Sequence, residues 1–575
     1  MTRVWRGARQ TSRNARKLPE SALKTPVFLA AAALFALPSF ALSSSAAGQV
    51  PSDLDRSAAA VRAHVEFLAS DLLEGREAGT RGYDIAAAYV ASQFAQLGLT
   101  PAGDVREGKT TWFQDTPLLA VRQADDGRFA LLDRGGAETV LVPGEDVITG
   151  RPLGAPELKL NAPLVFAGYG VVAPERGRDD YRGLDVKGKI VVVFQGAPSG
   201  FQTEERAYYA SVRTKRLAAE ANGAVGLVLA YRPSDETRRP FAQMRRAAES
   251  WSMTWTRPDG TAFDTAARTP MLATLSVAGA NKLFAGARRS YADAVAAAEK
   301  PRGEAPRFAL PYRLDAAIRT ETRTTRSANV AGLLPGSDPK LKDEIVVLSA
   351  HLDHVGITAP VDGDSINNGA LDNAGGIATT LEVARAFRDS GRAPRRSILF
   401  LAVTAEEKGL LGAEYFARNP TVAGTMVANV NLDMPVLTYD FVDVVAFGSE
   451  RSGIAQAVQR AATRTGVALS PDPMPEEGLF TRSDHFRFVE IGVPSTFLMT
   501  GFQNGGEAKF RGFLAQCYHK PCDDLAQPID YAAGAKFARI NYEITRELAD
   551  ADARPLWNRG DFFGVKFGPR GSVAD

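Results

Sequence analysis

Apolar runs alternate with amphipathic stretches over the second half of the chain. The runs EIVVLSA, SILFLAV, TMVANVNL and STFLM have the length and composition of buried strands. Between them, GGIATTLEVARAF places Ile377, Leu381, Ala384 and Phe387 on one helical face, and AKFARINYEITREL repeats this pattern near the end. Such alternation predicts an α/β fold with a mixed, mostly parallel central sheet covered by helices on both faces.

The first half of the chain has a different pattern. The stretch HVEFLASDLLEGREAGTRGYDIAAAYVASQFAQLGL predicts two helices around a glycine-rich turn. Residues 146–305 then carry short apolar runs, such as KIVVVF and GAVGLVLAY, separated by Gly, Asp and Pro, with one helix at TKRLAAEANG. We therefore expect a small β-rich module at 146–305, inserted between residues 48–145 and 306–550 of a larger domain. Residues 551–575 form a tail to which the pattern assigns no role.

The chain begins with a basic leader that is followed by an apolar run. Seven Lys or Arg precede VFLAAAALFAL, and the small residues of SFALSSSAAGQ come next. This order is typical of a secretory signal peptide, with cleavage predicted after Ala47. An uncleaved membrane anchor is the alternative interpretation. We therefore expect a signal peptide at residues 1–47 and a mature protein in the periplasm or outside the cell.

Composition narrows the classes of function. The chain has 575 residues, of which 45% are hydrophobic and 23% charged, as in globular proteins of more than one folding unit. Removing residues 1–47 takes away seven positive charges and one negative charge from a net +2, which leaves a mildly acidic protein. We expect no nucleic-acid partner and, after signal removal, no membrane contact. The sequence does not indicate an oligomeric state.

Histidines and carboxylates follow the predicted strands. The residues that come directly after strands are His351, Asp353, His354, Glu406, Glu407 and Asp433, while Asp372 opens the next helix and His519 lies in the loop CYHKPCDDL. In open α/β sheets, ligands bind outside the carboxyl ends of the strands, so these side chains converge if the strands are neighbours. Imidazole and carboxylate together are ligands of zinc, and a carboxylate can bridge two ions.

Each of these residues alone has an ordinary structural interpretation. A pair such as Glu406 and Glu407 usually lies on a solvated turn, because adjacent carboxylates repel each other when buried. A single histidine after a strand is more often a structural loop residue than a ligand. Their ordered appearance at successive strand ends favours a metal site over these alternatives.

The motifs SAHLDHVG, GALDNAGG, TAEEKGLLGAEYF, NLDM and YHKPCDD together resemble those of the co-catalytic di-zinc exopeptidases. This family includes bacterial leucine-type aminopeptidases, glutamate carboxypeptidase and transferrin receptor. The resemblance covers residues from about 325 to 548, and the two leading helices are similar to those of the family. The segment with DYRGLDVKGKIVVV and GAVGLVL resembles the protease-associated domain that many members carry as an insertion.

The resemblance implies a role for each matching residue. Asp372 bridges two zinc ions, His351 and Asp433 complete the site of one ion, and Glu407 and His519 complete the other. Glu406 is the general base, and Asp353 is a catalytic-site residue that orients the imidazole of His351. The family also implies a cis peptide bond between Asp372 and Asn373.

Several neighbouring residues have open assignments. Lys520 stands where the family's last motif usually has a small hydroxylic residue. Asp484 and His485 are rival ligands, but the resemblance places both beside the site, where they support the ligands or contact substrate, with Asp484 the candidate substrate contact. His354 is expected to be a loop residue, with a supporting contact to the metal ligands as the alternative. Tyr518 is a candidate substrate contact, with an exposed loop position as the alternative. Cys517 and Cys522 are expected to form a disulfide in an oxidising compartment, with free thiols or a metal knot as alternatives.

These assignments favour a zinc aminopeptidase that acts on peptides. A carboxypeptidase of the same family would need a basic pocket, to which Lys520 or Arg482 could contribute. A glutaminyl cyclase on the same fold would use one zinc ion, and a receptor-like protein would have no catalysis. The complete ligand set argues against both.

Overall fold

Four parallel strands form the centre of the larger sheet in the computed structural model, which describes residues 53–248, 250–569 and 571–574. In spatial order they are Ser397–Val403, Glu344–His351, Thr425–Leu432 and Ser495–Thr500. Their buried apolar side chains explain the continuous apolar runs of the sequence, because helices cover both faces of the sheet. The predicted fold class is therefore confirmed. The predicted signal peptide at 1–47 lies outside the described residues.

Helices follow the amphipathic stretches and the Ser, Thr or Asp caps that precede several of them. The helices are α1 Asp53–Leu68, α2 Arg81–Gln96, α3 Thr203–Ala210, α4 Val212–Ala221, α5 Pro233–Arg238, α6 Phe241–Ala248, α7 Val277–Phe284, α8 Tyr291–Ala298, α9 Gly375–Asp389, α10 Leu411–Arg418, α11 Ile454–Thr465, α12 His485–Val489, α13 Gly506–Gln516, α14 Tyr531–Asp550 and α15 Phe562–Phe567. Short 3-10 turns include Asp71–Arg76 and Leu479–Thr481, and a π-helical turn spans Ala370–Ala374. Among these helices, none combines the length and apolarity needed to cross a bilayer.

The strands form one large sheet system and three small two-stranded sheets. The strands are β1 Thr100–Pro101, β2 Val105–Arg106, β3 Lys109–Thr110, β4 Phe113–Gln123, β5 Arg128–Leu132, β6 Glu138–Val140, β7 Val147–Thr149, β8 Glu157–Ala167, β9 Val172–Ala173, β10 Arg178–Asp179, β11 Ile190–Phe194, β12 Gly226–Ala230, β13 Ser252–Trp255, β14 Met271–Leu275, β15 Arg307–Leu334, β16 Glu344–His351, β17 Gly356–Val361, β18 Asp364–Asn367, β19 Ser397–Val403, β20 Thr425–Leu432, β21 Asp443–Phe447, β22 Ala468–Leu469 and β23 Ser495–Thr500.

The inserted segment contains its own parallel sheet. Strands β8, β11, β12 and β14 pair in parallel, and their side chains form a hydrophobic core of their own around Phe166 and Phe194. This core also takes in Phe129 and Leu131, which precede residue 146, so the layer begins earlier in the chain than the sequence pattern indicates. Helices α3 to α8 lie within the segment, which is therefore an α/β layer and not mainly β.

One strand belongs to both sheets. The 28-residue strand β15 pairs with β8 and β5 in its first half, with β4 in its second half, and with β19 at its end. Side-chain contacts add to this backbone connection, because Arg213 on α4 bonds Glu414 on α10 at 2.7 Å. The tail contributes as well, since α15 packs Phe562 and Phe563 against Tyr208 on α3.

Candidate metal centre

The predicted residues converge at the carboxyl ends of the central strands. His351 is the last residue of β16, which pairs on one side with β19 and on the other with β20. Glu406 and Glu407 follow β19, and Asp433 follows β20 directly. The expectation that these strands are neighbours is confirmed, and it brings side chains that are far apart in sequence into one crevice.

The first group consists of His351, Asp372 and Asp433. His351 Nε2 lies 3.3 Å from Asp372 Oδ1 and 3.0 Å from Asp433 Oδ1. All three can offer one ligand atom to a common ion. Ser483 donates a 2.5 Å hydrogen bond to the other oxygen of Asp433, which fixes the carboxylate and leaves Oδ1 toward the histidine.

The second group forms on the opposite oxygen of Asp372. His519 Nε2 lies 3.3 Å from Asp372 Oδ2 and 3.1 Å from Glu407 Oε2. His354, expected to be a loop residue, is fully buried here with Nδ1 2.8 Å from Glu407 Oε1, so its ring could also offer a ligand atom to an ion beside Asp372 and Glu407. Asp372 therefore stands between two histidine–carboxylate groups, as the family resemblance implies.

Asp523 fixes the backbone at Asp372. The carboxylate of Asp523 accepts hydrogen bonds from the backbone N–H groups of Leu371 and Asp372 at 2.9 and 3.0 Å. The next peptide bond, between Asp372 and Asn373, is cis, as the resemblance predicts. These contacts fix the direction in which the Asp372 carboxylate points.

Asp353 fixes the two glutamates and contacts His351 through its backbone. Its carboxylate accepts the backbone N–H groups of Glu406 at 3.0 Å and of Glu407 at 3.3 Å. The ring Nδ1 of His351 meets the backbone carbonyl of Asp353 at 3.1 Å. The predicted orienting contact is therefore made by the carbonyl, while the carboxylate organises the glutamate turn.

Left-handed backbone conformations accompany the candidate ligands. Ala405, Met434 and His519 have φ values of 53°, 45° and 56°. The first two are adjacent to Glu406 and Asp433, and the third is itself a candidate ligand. Such conformations cost about 1–3 kcal/mol for most residues and persist where surrounding contacts fix them.

The charge of the crevice fits divalent cations. Seven carboxylates lie in or beneath it, namely Asp353, Asp372, Glu406, Glu407, Asp433, Asp484 and Asp523. The Oδ2 atom of Asp372 is buried and accepts no hydrogen bond, although His519 Nε2 is 3.3 Å away. The edge of a tetrahedron around zinc is about 3.3–3.6 Å at ordinary Zn–N and Zn–O lengths. The observed separations of 3.0–3.3 Å within both groups are close to this edge.

The pKa shifts of His351 and Glu406 also indicate that the crevice favours positive charge. Burial opposes the protonation of His351, but Asp433 and Glu406 outweigh burial and raise the pKa of the imidazole. Burial, together with Glu407, Asp433 and Asp484, raises the pKa of Glu406 well above its usual range. Crowded carboxylates of this kind are stable in a buried crevice when cations compensate them.

The residues with open assignments lie around these two groups. Asp484 is fully buried beside Glu406 and Asp433, with both oxygens lacking hydrogen-bond partners, so its predicted contact with substrate stays a prediction. His485 packs against the rings of Phe480 and Phe497, with centroids 5.1 and 5.5 Å away. The ring of Tyr518 lies 3.8 Å from that of His519.

The loop that carries His519 is closed by a disulfide. Cys517 and Cys522 are bonded to each other, as expected, and flank His519 on both sides. Lys520 points its ammonium at the carbonyls of Ala515 and Gln516, at 3.1 and 2.8 Å, and so ends helix α13. The ammonium group of Lys520 therefore bonds the end of helix α13.

Sequence reasoning missed a buried arginine beneath the site. Arg76 is 1% exposed and donates to the backbone carbonyls of Leu352, Asn368 and Gly369 at 2.9, 2.5 and 3.1 Å. It thus joins the segment after His351 to the segment before Asp372. Burial lowers its pKa to about 10, so it remains charged. The only signal was a single arginine within the glycine-rich turn EGREAGT.

A family model matches the part of the chain that carries the site. Residues 329–545 match the model of Peptidase family M28, a family of co-catalytic zinc exopeptidases. The match does not extend over the inserted segment, whose likeness to the protease-associated domain stays a prediction.

Curated relatives are similar over the same region. Leupeptin-inactivating enzyme 1 of Streptomyces exfoliatus is 28% identical over 40% of this chain and 52% of its own length. Aminopeptidase Y of Saccharomyces cerevisiae is 26% identical over 38% of each chain. The chain thus spans about half or less of the curated relatives it matches. Among solved structures, an aminopeptidase from Aneurinibacillus sp. strain AM-1 aligns with 87% of this chain and 96% of its own, at 18% identity and a TM-score of 0.48.

Proposed function

We propose that the protein is a secreted zinc-dependent aminopeptidase that removes N-terminal residues from peptides and uses two zinc ions. The observation that carries the proposal is the position of Asp372 between two histidine–carboxylate groups, with Glu406 beside them. The M28 match over 329–545 and the aminopeptidase names of its relatives support the same reaction class. The basic and apolar leader at residues 1–47 supports secretion to the periplasm or beyond.

The residues of the site divide into metal ligands and a general base. His351, Asp433 and Asp372 would hold one ion, and Glu407, His519 and Asp372 the other. Bound zinc lowers the pKa of water and polarises a scissile carbonyl. Glu406 belongs to neither metal group, so its carboxylate can take the proton from the attacking water and pass it to the departing amine. Asp353 keeps Glu406 in place through the backbone N–H.

Charge in the crevice favours substrates with a free amine. Carboxyl groups outnumber basic side chains around the crevice, which favours an ammonium group over a terminal carboxylate there. Both basic residues that a carboxypeptidase could use have other partners. Lys520 bonds carbonyls at the end of α13, and Arg482 pairs with Glu477 at 3.1 Å. A glutaminyl cyclase or a receptor-like protein would not need both histidine–carboxylate groups.

Metal content and peptide blocking together test the proposal. The purified protein should contain two zinc ions per chain and should cleave a peptide only while its N-terminal amine is free. The N-acetylated form of the same peptide is the matched control. Cleavage of the acetylated peptide from its carboxyl end would identify a carboxypeptidase. One ion or none, with neither peptide cleaved, would favour the cyclase or the receptor-like alternative.

A further inference from the structure

We propose that His354 is a positioning residue that holds the metal-binding carboxylate of Glu407. This inference rests on the proposed function, because it assumes that Glu407 binds an ion. His354 is fully buried at the start of the turn after β16, and its Nδ1 lies 2.8 Å from Glu407 Oε1. The donor of this hydrogen bond is the ring N–H, since a carboxylate can only accept.

The two oxygens of Glu407 have different imidazole neighbours. Oε1 faces His354 at 2.8 Å, whereas Oε2 faces His519 at 3.1 Å. A hydrogen bond to one oxygen fixes the rotation of the carboxylate and directs the other oxygen toward the ion. Outer contacts of this kind orient metal ligands in many sites and increase their affinity for the ion.

Distances argue against His354 as a direct ligand. The pairs that His351 and His519 form with Asp372 are both 3.3 Å apart, which is close to the edge of a tetrahedron around zinc. His354 Nδ1 is 4.0 Å from Asp372 Oδ2, beyond that edge. Its nearest carboxylate oxygen is Oε1 of Glu407, the atom that does not face His519, so we place the ring outside the set of ligands.

The ring of His354 is held in a space built for it. Gly369 packs against the ring so closely that a Cβ atom there would lie 2.7 Å from Cδ2 of His354. The backbone N–H of His354 donates to the carbonyl of Arg76 at 3.2 Å. The remaining nitrogen, Nε2, is buried without a hydrogen-bond partner. An apolar side chain would fill this space without an unpaired nitrogen, so the bond from Nδ1 is what the imidazole adds.

The test compares zinc affinity in three variants of the full chain. His354→Leu removes the donor, and His354→Asn keeps an N–H donor at nearly the same distance from the backbone. His64→Leu is the matched control, because His64 is a half-buried histidine on α1 that bonds Tyr89 at 2.8 Å and belongs to neither histidine–carboxylate group. Metal-free protein is titrated with zinc against a chromophoric chelator, and far-ultraviolet circular dichroism checks the fold of each variant.

We expect His354→Leu to weaken one of the two zinc sites about 10–100-fold, with the other site unchanged. His354→Asn should stay close to the wild type, and His64→Leu should bind both ions normally. In a Glu407→Ala background, His354→Leu should weaken binding no further. Should His354→Leu fail to fold, His354→Ser removes the same donor with a smaller side chain.

Three outcomes would overturn the proposal. Unchanged zinc affinity in His354→Leu would mean that the ring only fills space. Loss of one ion in both His354→Leu and His354→Asn would mean that it ligates zinc directly. A further loss in the Glu407→Ala background would mean that it acts through another residue. A wild type that binds no zinc would instead contradict the proposed function, before any variant is compared.

Discussion

Asp353 and Glu406 are joined by a hydrogen bond from the backbone N–H of Glu406 to Oδ1 of Asp353, 3.0 Å long. The second oxygen of Asp353 accepts the N–H of Glu407 at 3.3 Å. One buried carboxylate therefore fixes both members of the glutamate pair. Burial raises the pKa of Asp353 to about 6, and the two backbone N–H groups counteract this rise.

Replacing Asp353 by Asn should misplace the glutamate turn. An amide can accept only one of the two N–H groups, and its own NH2 then faces the other. We expect kcat to fall about 10–100-fold, as for other outer contacts of metal sites. Steady-state kinetics with metal analysis would check this. Unaltered kcat at full metal content would show that the turn keeps its shape without Asp353.

Glu406→Gln should separate catalysis from metal binding. The change removes a proton acceptor and keeps the size of the side chain, so turnover should fall about 10²–10⁴-fold. Zinc content should stay at the wild-type value, because Glu406 lies in neither of the two metal groups. Measuring turnover and zinc content in the same preparation separates the two effects. A variant with ordinary turnover would exclude Glu406 as the base.

Changes at Glu407 or His519 should instead lower the zinc content of the protein. Glu407→Ala or His519→Ala removes a contact of the second group, so each should release one zinc ion and leave the group around His351 occupied. Isothermal titration of the metal-free variants would count the remaining sites. Full occupancy in both variants would show that other residues, such as Asp484 or His485, complete that site.

The pH dependence of stability should report the buried Lys215 of helix α4. Burial lowers its pKa from 10.5 to about 7. Between these values the unfolded chain binds one proton more than the folded protein, so the free energy of unfolding should rise with pH by up to about 1.4 kcal/mol per pH unit. Lys215→Met should abolish this rise.

Urea unfolding at several values between pH 7 and pH 10 would measure the difference between the wild type and Lys215→Met. That difference should shift in favour of the wild type as pH rises, because the wild type then buries a neutral amine. Lys300→Met, at an exposed position, is the control. Parallel curves for the wild type and Lys215→Met would show that Lys215 keeps an ordinary pKa.

Glu414 joins the inserted segment to helix α10. Its buried carboxylate bonds Arg213 at 2.7 Å, Trp255 at 3.3 Å and Arg418 at 3.2 Å. Breaking a buried pair by removing one partner costs about 3–5 kcal/mol. Glu414→Ala should therefore lower the free energy of unfolding by this order, with Glu414→Gln less affected. Two denaturation midpoints that match the wild type would mean that the pairing contributes little.

Sequence patterns were informative where a strand is buried and ends at the crevice. His351, Glu407 and Asp433 follow apolar runs that are strands in the structure, so their convergence could be predicted from strand order alone. Asp372 and His519 needed the family resemblance, because nothing in their local pattern relates them to those strands.

The other contacts of the site join residues that no periodic pattern of the sequence relates to each other. Arg76 bonds backbone carbonyls of two segments about 280 residues further along the chain, and no pattern of side chains predicts such partners. His354 directly follows Asp353 in the loop after β16, and only the fold places its ring against Glu407 and so favours the alternative of a supporting contact. Strand β5 precedes residue 146 in sequence but pairs with β15, so the sequence pattern alone does not delimit the inserted layer.

The long strand β15 is shared by the inserted layer and the larger sheet. Its first half pairs with β8 and β5, and its second half pairs with β4 and β19. Neither layer can therefore complete its set of strand pairings until the shared strand is in place, which makes the folding of one layer depend on the other.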